Sequence, residues 1–507
     1  MGLFDFLKRN APAKSVRRLG RNYSGASQGR LFADFIASSN SADSNLRLSL
    51  PVLRDRSRDL ARNNEYAKRY FNLIKTNVVG EKGFTVQVRA RNDDRSLDVA
   101  GNTIIENAWR AWGRLGNPET SGRLSWLDCQ RYVAESLARD GEVFIKKVHN
   151  RRLKDGFSIQ FIESDLVDHE KNESLNNGHT IRMGIELDEF HKPVAYHVLT
   201  EHPNDNFFIG ASKARKHIRV PANEMIHVFM PTRSYQTRGE PFMAPVLASL
   251  KMLAGFMEAE LVSARASAAK FGVITTPSGE DFVGDDETDE GVPIIDFDPG
   301  SVHQLPRGHD FKMIDPQHPN TAFDSFVKNI LRGIASGLNV SYVTLANDLE
   351  GVSYSSIRQG TIDERDHMRM LQSFLIQHFC EPVFQAWLDS ALDFGNIPIP
   401  ANKYDKFADN VFFKGRGFSW VDPQREISAS IAALQNGLIS MNDVAANYGR
   451  DVEELFGQIQ SDKEMAERFG LELAFEPFGG GQSPFGPMKI PFPTAEEPSS
   501  SEDEDGN

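Results

Sequence analysis

Cysteine is scarce in this chain. Only two of the 507 residues are cysteines, Cys129 and Cys380, and they stand far apart without metal-ligand spacing. The 13 histidines show no metal-ligand spacing either. We therefore expect folding in a reducing cytoplasm, with no disulfide framework, no metal and no cofactor.

Long apolar runs and nucleotide-binding motifs are also missing. No run of 18 or more apolar residues occurs, so we expect no membrane span. No Gly-Lys-Ser/Thr occurs, which excludes a P-loop, and Gly415-Arg-Gly417 lacks the third glycine of a dinucleotide fingerprint and predicts only a turn. The acidic stretch from Asp285 resembles a calcium loop in composition but not in the register of its ligands. An enzyme is therefore the weaker class.

What is present is the composition of a globular protein with unevenly placed charge. Apolar residues make up 40% and charged residues 25% of the chain, and its length predicts roughly two to four domains. The net charge is −13, yet residues 1–70 carry 14 Lys and Arg against 6 Asp and Glu. We expect residues 1–45 to be a flexible basic arm and residues 476–507 a disordered acidic tail. The acidic body disfavours tight binding of duplex DNA.

Hydrophobic periodicity predicts an α+β region over residues 46–240 with a mostly antiparallel sheet. Leu46–Gly80 is expected to be helical, with Arg54–Asp59 as its charged face. The predicted strands share alternating apolar residues. They are Phe84–Arg89, Glu142–His149, Phe157–Ile162, Ile181–Leu187, Val194–Leu199, Met225–Phe229 and Val411–Lys414. His227, on one of these strands, is expected to be a satisfied core residue rather than a metal ligand.

The middle of the chain has an unusual order of elements: a helix, an acidic insert, a short helix, a polar loop and a long helix. We expect Pro382 to kink the long helix. The predicted bounds are Pro245–Lys270, Gly272–Asn320, Ala322–Leu338, Asn339–Gly360 and Thr361–Phe394. Three short helices follow, over Arg425–Asn436, Ser440–Tyr448 and Asp451–Arg468. This order favours a device built around an axis over one built around a pocket.

Several local motifs, taken in order over residues 45–470, resemble the phage portal proteins of the lambda family. The resemblance rests on six stretches of the sequence. They are Arg62–Gly80, Arg139–Phe144, Phe161–Val167, Pro221–Phe229, Gln236–Pro241 and Leu345–Ser356. The family resemblance implies an α+β portal-type fold with wing, two-helix stem, strand-containing clip and helical crown, assembled as a ring around a central channel.

The resemblance also implies a division of the chain into regions. The wing would be residues 46–243, the first stem helix 244–271, the clip 272–320, the second stem helix 321–338, the tunnel loop 339–360, the long kinked helix and wing return 361–420, and the crown 421–475. It implies a ring, typically of twelve subunits, at one capsid vertex of a tailed phage or prophage. Viral DNA would be packaged through the channel by terminase and later ejected.

The implied partners follow from that position. They are the terminase large subunit, the major capsid and scaffolding proteins, the head-completion proteins, and double-stranded DNA in non-specific passage, with no membrane. The protein would be part of the virion and reside in the host cytoplasm during assembly. No catalytic residue is implied, since the ATPase belongs to the terminase.

Three groups of residues are candidates for these roles. Lys328 and Arg332 lie four residues apart on one helix face, so both could face the channel, although outward pairing with a neighbouring subunit is the alternative. The candidate constriction residues in the loop are Asn347, Asp348, Glu350, Tyr354 and Ser355. The candidate docking residues for terminase and adaptors are Asp285, Asp286, Glu287, Asp289 and Glu290.

Two other functions stay open from the residues alone. Ser267 and Lys270 match the Ser-x-x-Lys pattern of some hydrolases, although the pattern is common by chance and falls in an Ala-rich helix. The basic arm could instead make the chain a DNA-binding adaptor.

Overall fold

The computed structural model describes eleven stretches of the chain, and its architecture mixes helix and sheet. They are residues 39–203, 216–269, 272–275, 286–287, 293–294, 310–313, 323–350, 353–394, 397–418, 423–447 and 452–471. The chain divides into two compact units, residues 1–428 and 429–507. None of the helices within these stretches combines the length and apolar character needed to cross a membrane.

The α-helices described in the first unit lie on both sides of the acidic insert in the sequence. They are α1 (Ala42–Asn63), α2 (Glu65–Ile74), α3 (Val99–Trp112), α4 (Trp126–Asp140), α5 (Leu247–Ala269), α6 (Phe323–Gly337), α7 (Tyr342–Ala346), α8 (Tyr354–Leu375), α9 (Glu381–Asp393) and α10 (Tyr404–Ala408). Helix α11 (Pro423–Gln435) follows, and the second unit contains α12 (Met441–Asn447) and α13 (Val452–Arg468). The helices predicted by periodicity are present, except that Leu46–Gly80 is divided and the long helix begins at Tyr354.

The strands form small antiparallel sheets. They are β1 (Thr85–Val88), β2 (Glu142–His149), β3 (Phe157–Ile162), β4 (Glu173–Ser174), β5 (Thr180–Arg182), β6 (Ile185–Leu187), β7 (Pro193–Leu199), β8 (His217–Pro221), β9 (Met225–Phe229), β10 (Gly272–Thr275), β11 (Asp286–Glu287), β12 (Pro293–Ile294), β13 (Asp310–Met313) and β14 (Val411–Lys414). One sheet has the order β3-β2-β9 and another β4-β5-β6-β7-β8. The remaining pairs are β1 with β14, β10 with β13 and β11 with β12.

The predicted strand Ile181–Leu187 is in fact a hairpin of β5 and β6. Its two turn residues, Met183 and Gly184, have φ angles of 45° and 83°. A two-residue hairpin turn needs this left-handed backbone, and glycine supplies it without steric cost. Apolar alternation continues through the turn, which is why the sequence pattern does not reveal it.

The predicted helix over Leu46–Gly80 is also divided, and its charged face is only partly exposed. Asn64 adopts an extended backbone and its side chain accepts a hydrogen bond from the Ala67 N–H, so a new helix begins there. Within the stretch predicted as a charged face, Arg54 is 1% exposed and Ser57 is fully buried. This part of the prediction was wrong because Arg54 has carboxylate partners in distant segments, described below.

The core of the first unit is aromatic. Trp109 and Trp112 of α3 stack with ring centroids 4.7 Å apart, and Trp387 of α9 packs edge-on against Trp109 at 5.1 Å. Cys129 and Cys380 are free and buried in the same core. The long helix therefore packs back onto the N-terminal helices and anchors the middle of the chain.

The long helix begins earlier than predicted and contains an irregular turn. Ser353 caps α8 by accepting a hydrogen bond from Ser356, so the helix starts at Tyr354 and the predicted loop 339–360 is shorter. That loop also contains α7. A π-helical turn, Ile376–Cys380, ends two residues before Pro382, which has no N–H to continue the regular ladder.

Candidate functional site

Two of the predicted channel residues meet the predicted loop in the structure. Lys328 lies on α6, and its Nζ is 3.0 Å from Asp324 Oδ2, one turn earlier on the same helix. The same Nζ is 3.7 Å from Asp348 Oδ2 and 3.6 Å from Glu350 Oε2 in the loop after α7. Lys328 therefore ties the loop to α6.

Tyr342 completes this arrangement, which we call the Lys328 cluster: Lys328, Arg332, Tyr342, Asp348 and Glu350. The Tyr342 hydroxyl donates to Asp348 Oδ2 at 2.7 Å. The guanidinium of Arg332 lies 5.4 Å from the centre of the Tyr342 ring, a cation–π distance. Lys328, Arg332, Asp348 and Glu350 are candidates from the sequence for facing the channel, whereas Tyr342 is not.

Local sequence explains why the loop turns back toward α6. Ser341 caps α7 by accepting from the Thr344 N–H, and Asn347 ends this helix with a left-handed backbone at φ 54°. Asparagine tolerates this conformation better than most residues. The turn carries Asp348 back beside Tyr342 and Lys328.

The charges of the cluster stabilise one another. The hydrogen bond from Tyr342 lowers the pKa of Asp348, and Lys328 lowers it further. The hydrogen bond to Asp324 is the main cause of the raised pKa of Lys328. Burial, reinforced by Asp348, raises the pKa of Tyr342 to about 12. These groups keep their ordinary charges at neutral pH, so the cluster suits electrostatic positioning rather than proton transfer.

The other predicted site residues are only partly described. Ser355 is exposed, with its Oγ 3.0 Å from Ser353 Oγ. Tyr354 opens α8. Asp286 and Glu287 form β11, paired with β12. The docking residues Asp285, Asp289 and Glu290 lie outside the described residues. Ser267 falls within α5, and Lys270 also lies outside the described residues.

A second group of charges was missed by sequence reasoning because its members are buried. Glu142, fully buried at the start of β2, pairs with Arg238 Nη2 at 2.6 Å and with Arg54 Nη2 at 2.7 Å. His227 Nε2 lies 3.1 Å from the other carboxylate oxygen of Glu142. Arg54 also pairs with Asp165 at 2.7 Å. We call these five residues the Glu142 cluster.

The Glu142 cluster joins the two larger sheets. Arg238 donates to the main-chain oxygens of Ser164 at 3.0 Å, Val167 at 3.1 Å and Met183 at 2.8 Å. The last of these lies in the β5–β6 hairpin, while Glu142 lies on β2. His227 is indeed a satisfied core residue, as predicted. Four of the stretches that carry the family resemblance each contribute to this cluster, so those motifs encode one tertiary contact.

The cluster holds Glu142 ionised although it has no access to water. Burial alone would raise its pKa, but the charge of Arg238, the His227 hydrogen bond and the charge of Arg54 outweigh burial and lower it. Burial lowers the pKa of His227. Because Glu142 and the two arginines that contact it are closed to solvent, their role is to position segments, not to bind a substrate.

One group in the described residues has metal-ligating geometry. Atoms of Glu163, Asp165 and His202 all lie within 4.8 Å of one another. Asp165, however, already pairs with Arg54 and Arg58. An added cation would be repelled by these two guanidiniums, so we assign no metal here.

Comparison with known proteins places the chain in a family. The profile of the family described as "Phage portal protein, lambda family" matches residues 28–372. A probable portal protein of Halomonas phage phiHAP-1 is 34% identical over 469 residues, covering 91% of this chain and 89% of the relative. Portal protein B of Escherichia phage lambda is 22% identical over 453 residues, covering 80% of this chain and 81% of the relative.

Among solved structures, the neck of an empty GTA particle computed with C6 symmetry is similar over 78% of this chain and 93% of that chain. Its sequence identity is 11% and its TM-score 0.39. The sequence relationships do not depend on this weak structural likeness. The family profile spans most of the chain, and the phiHAP-1 relative matches it nearly end to end. The chain therefore belongs to the lambda family of phage portal proteins.

Proposed function

We propose that this portal protein assembles into a closed ring, of twelve subunits, around a channel at one capsid vertex through which terminase packages DNA and from which DNA is later ejected. The family match over residues 28–372 carries this proposal. As a portal protein, the chain is a structural component of a phage particle and not an enzyme. Neither the hydrolase pair Ser267 and Lys270 nor the DNA-binding adaptor finds support in the family.

We assign the region names of the family to the observed elements. Helices α5 and α6 would be the two stem helices, and the insert between them would be the clip. Phe256 of α5 contacts Phe323 and Phe326 of α6, with ring centroids 5.8 and 4.9 Å apart, so the two helices form one packed pair. The sheets of residues 46–243 and the returning helix α9 would form the wing, and residues 421–475 the crown.

The surface of this helix pair supports assembly into a ring. Met252 is 75%, Leu261 63% and Val262 58% exposed on α5, and Phe326 is 48% exposed on α6. Met252 and Leu261 lie on opposite faces of α5, and in a ring each subunit has a neighbour on either side that would bury such side chains. We therefore place the contact between subunits here.

The Lys328 cluster would fix the tunnel loop beside the second stem helix. Because Lys328 is engaged by three carboxylates, Arg332, Asn347 and Ser355 are the better candidates to face DNA; all three are exposed. Tyr354 remains a candidate from its position alone. In the insert, Asp285, Asp286, Glu287, Asp289 and Glu290 would dock the terminase large subunit and later the head-completion proteins, while the wing would meet the major capsid and scaffolding proteins during assembly in the host cytoplasm.

Imaging of the purified full chain tests this proposal. We expect negative-stain microscopy to show rings with a central hole and native mass spectrometry to give a closed oligomer, twelve subunits being the expected number. A protein that stays monomeric at high concentration under every assembly condition would contradict the proposal.

A further inference from the structure

Three arginines surround one aromatic ring on the first unit. The guanidinium carbons of Arg365, Arg369 and Arg416 lie 5.4, 5.6 and 5.6 Å from the centre of the Phe418 ring. Arg365 and Arg369 are one turn apart on α8, and Arg416 comes from the segment after β14. We call these four residues the arginine platform.

Arg416 contacts neutral groups, and Arg369 pairs with one exposed carboxylate. Arg416 Nη1 donates to the main-chain oxygen of Thr76, and it lies 3.1 Å from Asn77 Oδ1; neither partner is charged. Arg369 pairs with Asp366 at 3.0 Å, with side chains 51% and 66% exposed. Such an exposed pair on one helix holds weakly and exchanges readily with other anions.

The platform has a rigid base. The buried Gln372 side chain, also on α8, donates to the main-chain oxygens of Val78 at 3.0 Å and Arg416 at 3.2 Å. The same amide packs against Gly415, where an added Cβ would lie 3.0 Å from it. The segment Gly415-Arg-Gly417, predicted only as a turn, thereby holds Arg416 at a fixed place beside α8.

The chemistry of the platform points to phosphate. Guanidinium groups match phosphate oxygens with two parallel hydrogen bonds, which lysine cannot do. Phe418 is covered by the guanidiniums, so its ring serves to orient them and is not offered to a base for stacking. Because Asp363, Glu364 and Asp366 neighbour the two arginines on α8, the platform offers phosphate local guanidinium donors rather than a large net charge, and duplex DNA would meet them without regard to sequence.

We propose that the arginine platform contacts the phosphate backbone of the duplex DNA that the protein conducts; this rests on the proposed conduit function. The contact would be weak and independent of base sequence. Each subunit of a ring would present one platform, so the passing duplex would always have several within reach.

The proposal is tested on assembled rings of the full chain. Binding of a fluorescein-labelled linear duplex is measured by anisotropy over a series of NaCl concentrations for wild type, Arg369→Ala, and Arg369→Ala with Arg416→Ala. We expect the salt slope of log affinity to fall by about 0.9 for each phosphate contact removed. Arg369→Lys should restore part of the affinity because the charge returns without the planar fork. Arg110→Ala, at another exposed helix arginine, is the matched control and should leave the slope unchanged.

Two outcomes would overturn the proposal. One is intact rings whose DNA affinity and salt slope equal those of wild type; the conduit function would then stand without this contact. The other is loss of rings in the platform variants while Arg110→Ala still assembles, which would identify acidic groups of a neighbouring subunit as the occupant. A wild-type chain that forms no ring would instead contradict the proposed function itself.

Discussion

Glu142 is a carboxylate without access to water, and three segments distant in sequence supply its partners. Arg54 lies 88 residues before it and Arg238 lies 96 residues after it. Removing the charge would leave two guanidiniums buried beside a neutral group. Replacing such a residue destabilises the fold mainly because it leaves buried charges without a partner.

The first prediction concerns this charge. Glu142→Gln keeps the shape of the side chain but leaves Arg238 without a carboxylate partner, so we expect the free energy of unfolding to fall by about 3–5 kcal/mol. Thermal unfolding followed by circular dichroism would measure the loss. Glu173→Gln, which removes an exposed partner of Lys171, is the control and should change little. Equal midpoints for the two variants would contradict the prediction.

The second prediction concerns pH. The folded-state pKa values of Glu142, Asp165 and Glu186 all lie below their ordinary values, that of Glu186 at about 2 mainly through its hydrogen bond with Arg219. Groups with lowered pKa values stabilise the fold fully above the unfolded values of 4.5 and 3.8, and this stability is lost as the pH falls below them.

We therefore expect the midpoint of thermal unfolding to be nearly constant from pH 7 to pH 5 and to fall steeply below about pH 4.5. The Glu142→Gln variant should show a shallower fall, since one of the responsible groups is gone. A wild-type midpoint that rises on acidification through this range would be incompatible with the assigned directions.

The third prediction concerns the two thiols. Cys129 and Cys380 are 0% exposed, and burial raises both pKa values, so neither thiolate forms readily in the folded chain. Under native conditions we expect no reaction with a thiol reagent on the timescale of minutes, and two labelled sites per chain after unfolding in denaturant. Rapid labelling of the native protein would show that this core opens.

At the scale of elements, two glycines bring the start of β2 against the segment that follows β9. Gly141 has φ 86°, and a Cβ added there would lie 2.2 Å from the carbonyl carbon of Glu240. A Cβ on Gly239 would lie 2.1 Å from the oxygen of Gly141. This close backbone approach lets Arg238 reach Glu142.

The fourth prediction compares two glycines with the same backbone conformation. Gly178 has φ 85°, and no atom lies near the position of an added Cβ. Gly178→Ala should therefore lower the free energy of unfolding only by the cost of a left-handed alanine, about 1–2 kcal/mol. Gly141→Ala should lower the free energy of unfolding by about 1–3 kcal/mol more than Gly178→Ala does, because the backbone of Glu240 must move. Matched denaturant titrations would measure both. Equal losses would show that the approach at Gly141 is looser than described.

The fifth prediction concerns the loop after α7. Lys328→Met removes the cation that Asp348 and Glu350 share, so we expect amide hydrogen exchange in residues 344–350 to accelerate by about two- to fivefold. Exchange in α2 and α3 should be unchanged. Lys463→Met, at an exposed helix position, is the control. Unaltered exchange in the loop would show that Tyr342 alone holds it.

Sequence reasoning succeeded where periodicity and capping act locally. Helices α6 and α13 begin within one residue of the predicted starts at Ala322 and Asp451, and strands β2, β3, β9 and β14 have the predicted bounds. It failed where the signal is tertiary. Strand β8 was not predicted, because only Ile218 and Val220 of its five residues are apolar and the run is short. Arg54 was assigned to a charged face because its partners lie about a hundred positions away.

The candidate site divides in the same way. The four-residue spacing of Lys328 and Arg332 predicted that they share a helix face. The polar composition of the loop made Asp348 and Glu350 candidate constriction residues. That Lys328 is paired with these loop carboxylates could not be read from spacing, because the fold-back depends on the left-handed Asn347. The roles of these residues toward DNA, and of the acidic insert toward terminase, remain predictions.

At the scale of the whole molecule, the exposed apolar side chains of α5 and α6 bear on assembly. Leu261→Glu together with Met252→Glu would place charge in the proposed contact between subunits, so we expect rings to give way to monomers and small oligomers. Native mass spectrometry would measure the distribution. Leu115→Glu, at a 67% exposed position away from this helix pair, is the control and should leave rings intact. Rings in both variants would move the contact elsewhere.

The Glu142 cluster also has a consequence for the order of events during synthesis. Arg238 leaves the ribosome 96 residues after Glu142, a delay of about 5–20 s at ordinary rates of translation. Until then a complete burial of Glu142 would leave its charge only partly matched. The buried pair between Glu142 and Arg238 therefore cannot form until Arg238 has emerged, and the aromatic core closes later still, once Trp387 of α9 is available.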